Sequence, residues 1–341
     1  MISKTTFASA ICLALCIPAH SQTDSSQFYF NKGSEEKNAK HWLVAAKFFD
    51  RSISFNDKNA AVYIENGLVN LEMRKTDAAK ASFTKALDLD PDNKIAVREL
   101  MKLNFNYRQW QKAIDFAVKC SSCEAEEKNW ILAMSYYELE DYAKAEKALL
   151  AFVKSHPDDA SANYTLARTY MQMEANDKGY PYFRKAIELD TTKVSWMVEF
   201  ADENYEAQHY KDAVVYYNKA LQHGYIANTA LNTDLGFSYI YSNEYQKGEE
   251  MIKKIIEKNP GKKDLYRDIA DAFYNRKMYD KALQYCQLLL ESDPKDAKAL
   301  YQAGLCFQKK GEKDKGQAMC DKAIQMDPSL ASMKRQINNG F

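Results

Sequence analysis

Apolar and small residues recur along this chain at steps of three and four, which is the spacing of one face of an α-helix. The pattern is clear between Asn66 and Leu71 and again between Ala79 and Leu89. Asp90 and Pro91 follow, and because the residue before a proline avoids the helical region, the second helix is predicted to end there. The pattern therefore predicts a helix, a short turn, a second helix and a stop.

This arrangement repeats with a period close to 34 residues. Small residues recur at spacings of 34, 34, 32, 34, 34, 35, 34 and 34, at Ala45, Ala79, Ala113, Ala145, Gly179, Ala213, Gly248, Ala282 and Gly316. Prolines follow five of them at a constant distance, at Pro91, Pro157, Pro260, Pro294 and Pro328. A small residue at this place allows two helices to approach closely, and a single hairpin cannot bury its apolar face alone. The sequence therefore predicts stacked hairpins with one continuous core.

The repeat resembles the tetratricopeptide repeat, most closely from Ala79 to Pro91 and from Asp280 to Pro294. The resemblance implies an all-α, right-handed α-solenoid of the exported bacterial type, with nine helix-turn-helix repeats over residues 26–330. The repeats are predicted to begin near Ser26, Ala60, Lys94, Glu126, Ala160, Val194, Thr229, Lys263 and Ala297. Residues 331–341 are predicted to form a capping helix over the last apolar face.

Composition and charge exclude several other classes. The 341 residues include only 11 Gly and 7 Pro, too few for the many turns of a β-sandwich or barrel. The 47 basic residues equal the 47 acidic residues, so the chain has no global positive field for nucleic acid.

The first 21 residues are predicted to be a secretory signal peptide. Lys4 precedes an apolar run from Phe7 to Ile17, and small residues precede a cleavage position near Ser21 and Gln22. The run is too short to remain as a membrane span, so we expect export to the periplasm or envelope, with no transmembrane segment after signal removal. An N-terminal helix is one alternative, and lipid anchoring at Cys16, which follows a poor lipobox, is another.

Three repeats depart from the common pattern. The third is short around Cys120 and Cys123, the fifth has Pro181 inside its second helix, where proline removes a hydrogen bond, and the sixth gains a residue near Gly224. These departures are either tolerated irregularities or places where the array changes curvature and forms a pocket.

The resemblance also implies a binding face, because the first helix of each tetratricopeptide hairpin lines the concave side. Large aromatic side chains with a polar tip, together with arginine, are typical of interface anchors. The predicted partner-binding residues are Trp130, Met134, Tyr137, Tyr164, Arg168, Tyr205, Phe237, Arg267, Tyr274 and Tyr301. The alternative is that these side chains pack into neighbouring hairpins. The residues that clamp a C-terminal carboxylate in some members of the family are replaced by Ile64 and Leu68, which disfavours that ligand.

Cysteine chemistry gives a rival interpretation. Cys120 and Cys123 are a candidate disulfide, and a redox function is disfavoured because the pair falls at the end of a helix, where the dipole does not activate a thiolate. Cys286, Cys306 and Cys320 occupy apolar repeat positions and are expected in the core. The sequence has no phosphate-binding glycine loop, metal-site spacing or nucleophile motif, so we expect no cofactor, metal site or enzyme activity.

The sequence therefore predicts a non-enzymatic scaffold that binds a peptide segment or partner protein in its concave groove. The first alternative is an envelope assembly factor or lipoprotein that acts through its convex face or its ends. The second is a thiol-dependent function at Cys120 and Cys123. The oligomeric state is left open.

Overall fold

The computed structural model describes residues 17–259, 262 and 264–332, and the side chains from Ser25 onward. The described part of the chain is helical and contains no strand. Most of the predicted signal peptide and most of the predicted capping helix lie outside the described residues, so both stay predictions. The first described helix runs from Ile17 to Asn38, and the predicted repeat start near Ser26 and the predicted cleavage position both lie within it.

Eighteen helices are assigned within the described residues. They are α1 (Ile17–Asn38), α2 (Trp42–Phe55), α3 (Ala60–Glu72), α4 (Thr76–Leu89), α5 (Lys94–Asn106), α6 (Trp110–Lys119), α7 (Ala125–Glu138), α8 (Tyr142–Ser155), α9 (Ala160–Gln172), α10 (Asn176–Leu189), α11 (Val194–Glu206), α12 (Tyr210–Gln222), α13 (Thr229–Tyr241), α14 (Tyr245–Lys258), α15 (Asp264–Asn275), α16 (Tyr279–Ser292), α17 (Ala297–Lys309) and α18 (Lys313–Met326). Odd-numbered helices are the first helices of hairpins, and even-numbered helices are the second.

The helices form two compact units, which we call the N-terminal unit (residues 1–189) and the C-terminal unit (residues 190–341). Within each unit, every first helix packs against the second helix of its own hairpin, and successive hairpins pack against one another. The predicted all-α fold class, stacked helix-turn-helix repeats, is confirmed.

The periodic small residues lie where the sequence predicts, between the two helices of a hairpin. Ala79, Ala213 and Ala282 are fully buried. Phenylalanines fill the space beside them, and Phe83 and Phe273 have no exposed surface. Burying each such ring contributes roughly 1.5–3 kcal/mol to stability.

Polar side chains at the ends of the connections begin several first helices. The side chains of Asn59, Asn93, Asp159, Asn228 and Asp296 accept hydrogen bonds from backbone N–H groups of the following turn. These caps satisfy N–H groups that have no partner inside the helix, and they fix the start of these five hairpins close to the predicted residues.

Each hairpin turn contains one residue with left-handed backbone geometry. The eight non-glycine residues have φ between 54° and 76°, at Lys40, Arg74, Arg108, Glu140, Glu174, Gln208, Asn243 and Lys277, and Gly311 takes this place in the last hairpin. The N–H of the next residue returns to the first helix, as from Lys75 to the carbonyl of Asn70 at 2.8 Å. This is the Schellman ending of a helix, which redirects the chain into the second helix.

Two of the irregular repeats have simple local structures. Cys120 and Cys123 form a disulfide with their Cα atoms 5.5 Å apart, in the connection between α6 and α7. Helix α10 continues through Pro181 as one helix of 14 residues.

Candidate functional site

All ten predicted partner-binding residues lie on first helices. They are Trp130, Met134 and Tyr137 on α7, Tyr164 and Arg168 on α9, Tyr205 on α11, Phe237 on α13, Arg267 and Tyr274 on α15, and Tyr301 on α17. The residues up to α9 belong to the N-terminal unit and those from α11 onward to the C-terminal unit, and each set is a candidate surface of its own unit.

In the N-terminal unit, the aromatic side chains of α7 rest on the second helix of the same hairpin. The ring of Trp130 lies 5.2 Å from that of Phe152, and Tyr137 meets Tyr142 edge to face at 6.0 Å. Trp130, Met134 and Tyr137 are all half-buried. Each ring is thus fixed on one side and accessible on the other.

Tyr164 and Arg168 form a pair on α9. The Nη1 group of Arg168 donates to the Tyr164 hydroxyl at 3.2 Å, and the guanidinium lies 5.9 Å from the centre of the tyrosine ring. The ring also meets buried Phe183 edge to face at 5.5 Å. A half-buried cation is therefore held beside a half-buried ring.

Phe237 and Tyr301 are corrections to the predicted set, because both are buried. Phe237 is 6% exposed and belongs to the core that contains Ile252 and Phe273. Tyr301 is 4% exposed and packs with Cys320 in the last hairpin core. Side chains of the same and the next hairpin surround Phe237, and side chains of α18 and Leu330 surround Tyr301. Both residues therefore stabilise the fold and offer almost no surface to a partner.

Arg267 is also engaged within the chain. Its guanidinium pairs with Asp264 at 2.9 Å and with Asp296, the cap of α17, at 2.7 Å. It therefore joins α15 to the start of the next hairpin. Tyr274 is half-buried and contacts Tyr279 edge to face at 5.6 Å.

In the C-terminal unit, Tyr205 lies in a cleft between α11 and α13. The cleft has a volume of about 360 Å³ and is lined by Val198, Asp202, Tyr205, Glu206, Tyr217, Tyr225, Asn228, Ala230, Leu231 and Asp234. The hydroxyl of Tyr217 donates to Asp202 at 2.6 Å, which holds this carboxylate at the wall of the cleft. We call this space the Tyr205 cleft.

Carboxylates give the Tyr205 cleft its electrostatic character. Burial, together with the charges of Asp202 and Glu206, raises the pKa of Asp234 to about 6. Burial and the nearby Asp234 also raise the pKa of Tyr205. Among the described ion pairs, none joins a lysine or arginine to Asp202, Glu206 or Asp234. The cleft is therefore acidic, and no described basic side chain neutralises it.

A row of tyrosines extends from this cleft. Tyr205 meets Tyr210 at 5.7 Å, and Tyr210 stacks on Tyr241 at 4.5 Å. The guanidinium of Arg276 lies 5.9 Å from the Tyr241 ring. The row connects α11, α12 and α13, and the contact with Tyr210 restrains the ring of Tyr205.

Neither a role for Asp234 nor the charge of this face was predicted from the sequence. The missing signal was the count of charged residues on each predicted first helix, since the balanced total charge conceals a local excess of carboxylates on α11, α13 and α15.

The cysteines have the environments of structural residues. Cys286, Cys306 and Cys320 are buried thiols outside the disulfide. Burial raises the pKa of Cys306 to about 12, the opposite of the shift that activates a nucleophile. Within the part of the chain that the structure describes, no group of His, Cys, Asp and Glu side chains is placed to hold a metal ion. The helices of that part also include none long and apolar enough to cross a membrane.

Comparison with known families identifies the repeat. Three tetratricopeptide repeat models match the chain, at residues 132–193, at 239–304, and at 60–93 and 297–330. The chain therefore belongs to the tetratricopeptide repeat proteins.

The chain aligns with only part of the length of each curated relative described below. The TPR repeat-containing protein YpiA of Bacillus subtilis is 24% identical over 148 residues, which is 43% of this chain and 35% of YpiA. Anaphase-promoting complex subunit 3 of Schizosaccharomyces pombe is 22% identical over 52% of this chain and 27% of its own. The type IV pilus assembly protein PilF of Pseudomonas aeruginosa is 26% identical over 49% of this chain and 68% of its own.

Solved structures of similar fold include MamA, at 19% identity and a TM-score of 0.42, over 50% of this chain and 95% of MamA. YrrB, described as a TPR protein with an unusual peptide-binding site, is 24% identical with a TM-score of 0.37, over 56% of this chain and all of YrrB.

Proposed function

We propose that this chain is a non-enzymatic scaffold that binds a peptide segment or a partner protein along the faces of its first helices. The observation that carries the proposal is the set of half-buried aromatic side chains on those helices, each fixed by a ring of the same hairpin. Trp130, Tyr137 and Tyr164 provide it in the N-terminal unit, and Tyr205 and Tyr274 in the C-terminal unit.

Fixed aromatic rings favour binding because they combine a large contact area with a small loss of conformational freedom. Truncating such an anchor commonly costs 2 kcal/mol or more of binding free energy, about a thirtyfold loss of affinity. Arg168 adds a cation that is already oriented by the Tyr164 hydroxyl. The tetratricopeptide repeat supports the same role, since repeat arrays present extended surfaces to their partners.

We further propose that the protein works in the bacterial envelope. The N-terminal sequence has the features of an export signal. One relative, which aligns with about half of this chain, is a pilus assembly protein. A disulfide at Cys120 and Cys123 suits an oxidising compartment. Mass spectrometry of the mature N-terminus tests this: a chain that begins at Gln22 supports cleavage, a diacyl-modified Cys16 supports a lipid anchor, and an intact Met1 contradicts export.

Affinity capture from the native cell envelope tests the binding face. One variant combines Tyr137→Ala with Tyr164→Ala, and a second combines Tyr205→Ala with Tyr274→Ala. The control combines Leu150→Ala and Val215→Ala, two exposed apolar side chains on second helices. We expect wild type and control to retain the same partner, and at least one tyrosine variant to lose it by tenfold or more.

One result would contradict the proposal. If both tyrosine variants retain the partner while the control loses it, the opposite face carries the binding, as in the alternative of an envelope assembly factor. Thermal melts of each variant accompany the capture. If a variant melts at a lower temperature than wild type, a crosslinking experiment replaces its capture experiment. A photo-crosslinking residue is placed at position 205 or at position 215, and we expect crosslinks to the partner from position 205 alone.

A further inference from the structure

Charge is distributed unequally between the two kinds of helix in the C-terminal unit. Helices α11, α13 and α15 carry eight carboxylates, Glu199, Asp202, Glu203, Glu206, Asp234, Asp264, Asp268 and Asp271, against the single cation Arg267. Their partners α12, α14 and α16 carry seven lysines, Lys211, Lys219, Lys247, Lys253, Lys254, Lys258 and Lys281, against six carboxylates, Asp212, Glu249, Glu250, Glu257, Asp280 and Glu291. The excess of negative charge is therefore confined to α11, α13 and α15, since the last first helix, α17, carries Lys298 and Lys309 and no carboxylate.

The first helices of the N-terminal unit lack this excess. Helices α3, α5, α7 and α9 carry five cations, Lys94, Arg98, Lys102, Lys128 and Arg168, against six carboxylates, Glu65, Glu72, Glu99, Glu126, Glu127 and Glu138. The acidic character is thus a property of one part of the array, and it does not follow from the repeat itself.

We propose that the first-helix face of the C-terminal unit binds an extended, lysine- or arginine-rich segment of a partner protein, with one cationic side chain seated in the Tyr205 cleft between Asp202 and Asp234. This proposal rests on the scaffold function proposed above and specifies the chemistry of the partner. We call the surface formed by α11, α13 and α15 the acidic face.

The Tyr205 cleft offers both kinds of contact that a cationic side chain needs. Its walls combine the carboxylates of Asp202 and Asp234 with the rings of Tyr205 and Tyr225. The carboxylates accept hydrogen bonds from an ammonium or guanidinium group, and a tyrosine face adds a cation–π attraction. A volume of about 360 Å³ admits one long side chain.

Carboxylates elsewhere in the same unit show what the cleft lacks. Buried Glu249 is paired with Lys253 and Lys281, and Asp264 and Asp296 share Arg267. In the cleft, by contrast, burial together with repulsion from Asp202 and Glu206 raises the pKa of Asp234 to about 6. A bound cation relieves this repulsion, so charge complementarity favours a basic occupant over an acidic or neutral one.

A peptide-binding measurement on the full chain tests the proposal. The probe is a short fluorescein-labelled peptide of alternating arginine and serine, followed by anisotropy, with an alternating glutamate and serine peptide of equal length as comparison. The test variant combines Asp202→Asn with Asp234→Asn. The control combines Glu250→Gln with Glu257→Gln, exposed carboxylates on the second helix α14 whose replacement removes the same charge.

We expect the basic peptide to bind wild type and control alike, tenfold or more tightly than it binds the test variant, and more tightly than the acidic peptide binds. Raising the salt concentration should weaken the binding. Asparagine keeps an acceptor for Tyr217, so we expect the test variant to fold, and a thermal melt checks this. If test and control variants lose equal affinity, the attraction is only that of net charge and the proposal is wrong.

The outcome can be separated from that of the scaffold proposal. If the basic peptide binds no better than the acidic one, yet envelope capture depends on the first-helix tyrosines, only the basic character of the partner is wrong. If neither experiment shows dependence on the first helices, both proposals are wrong.

Discussion

The hydroxyl of Tyr217 on α12 donates a 2.6 Å hydrogen bond to Oδ1 of Asp202 on α11. The tyrosine ring is fully buried inside the hairpin, whereas the carboxylate reaches the Tyr205 cleft. One bond therefore connects the hairpin core to the surface that we propose binds a partner.

Tyr217→Phe should lower the free energy of unfolding by roughly 1 kcal/mol. The substitution keeps the buried ring and removes only the donor, and a hydrogen bond to a charged acceptor is worth about 1–3 kcal/mol, here reduced because water reaches the carboxylate. Urea unfolding followed by circular dichroism measures the change. Tyr225→Phe, which alters a hydroxyl of the same cleft, is the control, and equal midpoints for Tyr217→Phe and wild type would show that the bond adds no stability.

The carboxylate of Glu249 has three partners in the C-terminal unit, the ammonium groups of Lys253 and Lys281 and the hydroxyl of Tyr285. Burial alone would raise its pKa, but hydrogen bonds from Lys281, Tyr285 and Lys253 outweigh burial and lower the pKa to about 2. Because the folded pKa lies below the ordinary value of 4.5, ionised Glu249 stabilises the fold at neutral pH. That contribution is lost as the pH falls from about 4.5 toward 2.

Glu249→Gln should therefore cost about 2 kcal/mol of unfolding free energy at pH 7, and less as the pH falls. Denaturant unfolding of wild type and variant at pH 7, 5 and 3.5 measures the difference at each pH. Glu250→Gln, an exposed neighbour on the same helix, should change stability little at any of the three. A difference between wild type and Glu249→Gln that grows toward acid pH would reverse the sign and contradict the assignment.

The sequence predicted the hairpins well because their boundaries are set by local chemistry. Ala60, Lys94, Ala160 and Val194 are predicted repeat starts, and each is the first residue of a helix. Capping side chains mark the first three of these places, and the periodic small residues mark the contact between helices. These signals act over a few residues, so one sequence is enough to locate them.

Side-chain exposure on the first helices could not be predicted in the same way. Phe237 and Tyr205 were predicted to have the same role, yet Phe237 is buried and Tyr205 lines a cleft. The difference depends on which side chains the neighbouring helices supply: Ile252 on α14 and Phe273 on α15 belong to the same buried cluster as Phe237. The position of a residue in the repeat therefore predicts which helix it lies on. Whether its side chain is exposed depends on packing against residues distant in the sequence.

The left-handed turn residues were also missed, because glycine is their usual sequence signal and only Gly311 supplies it. Glu174, with φ of 56°, occupies the same place in its hairpin. Left-handed geometry costs a residue with a Cβ atom roughly 1 kcal/mol or more, partly offset by the greater freedom of glycine in the unfolded chain.

Glu174→Gly should accordingly raise the unfolding free energy by about 0.5 kcal/mol, and Gly311→Ala should lower it by about 1 kcal/mol. No side chain would obstruct a Cβ at Gly311, so its loss would reflect backbone geometry alone. Thermal unfolding of the two variants gives shifts of opposite sign. Shifts of the same sign would mean that the turn geometry does not control stability at these positions.

Gly248 and Gly236 bring α14 and α13 into closer contact than alanine allows. A Cβ on Gly248 would meet the Gly236 carbonyl oxygen and would lie 2.7 Å from Cγ1 of Ile240. Helix propensity alone favours alanine over glycine by about 1 kcal/mol, so the two effects predict opposite signs. We expect the steric effect to prevail, with Gly248→Ala losing roughly 1–2 kcal/mol of unfolding free energy.

Ala282→Gly, at the same place in the next hairpin, is the matched control and should lose about 1 kcal/mol through propensity. A Gly248→Ala variant that melts above wild type would show that the helices separate at little cost and that the periodic small residue is not required there.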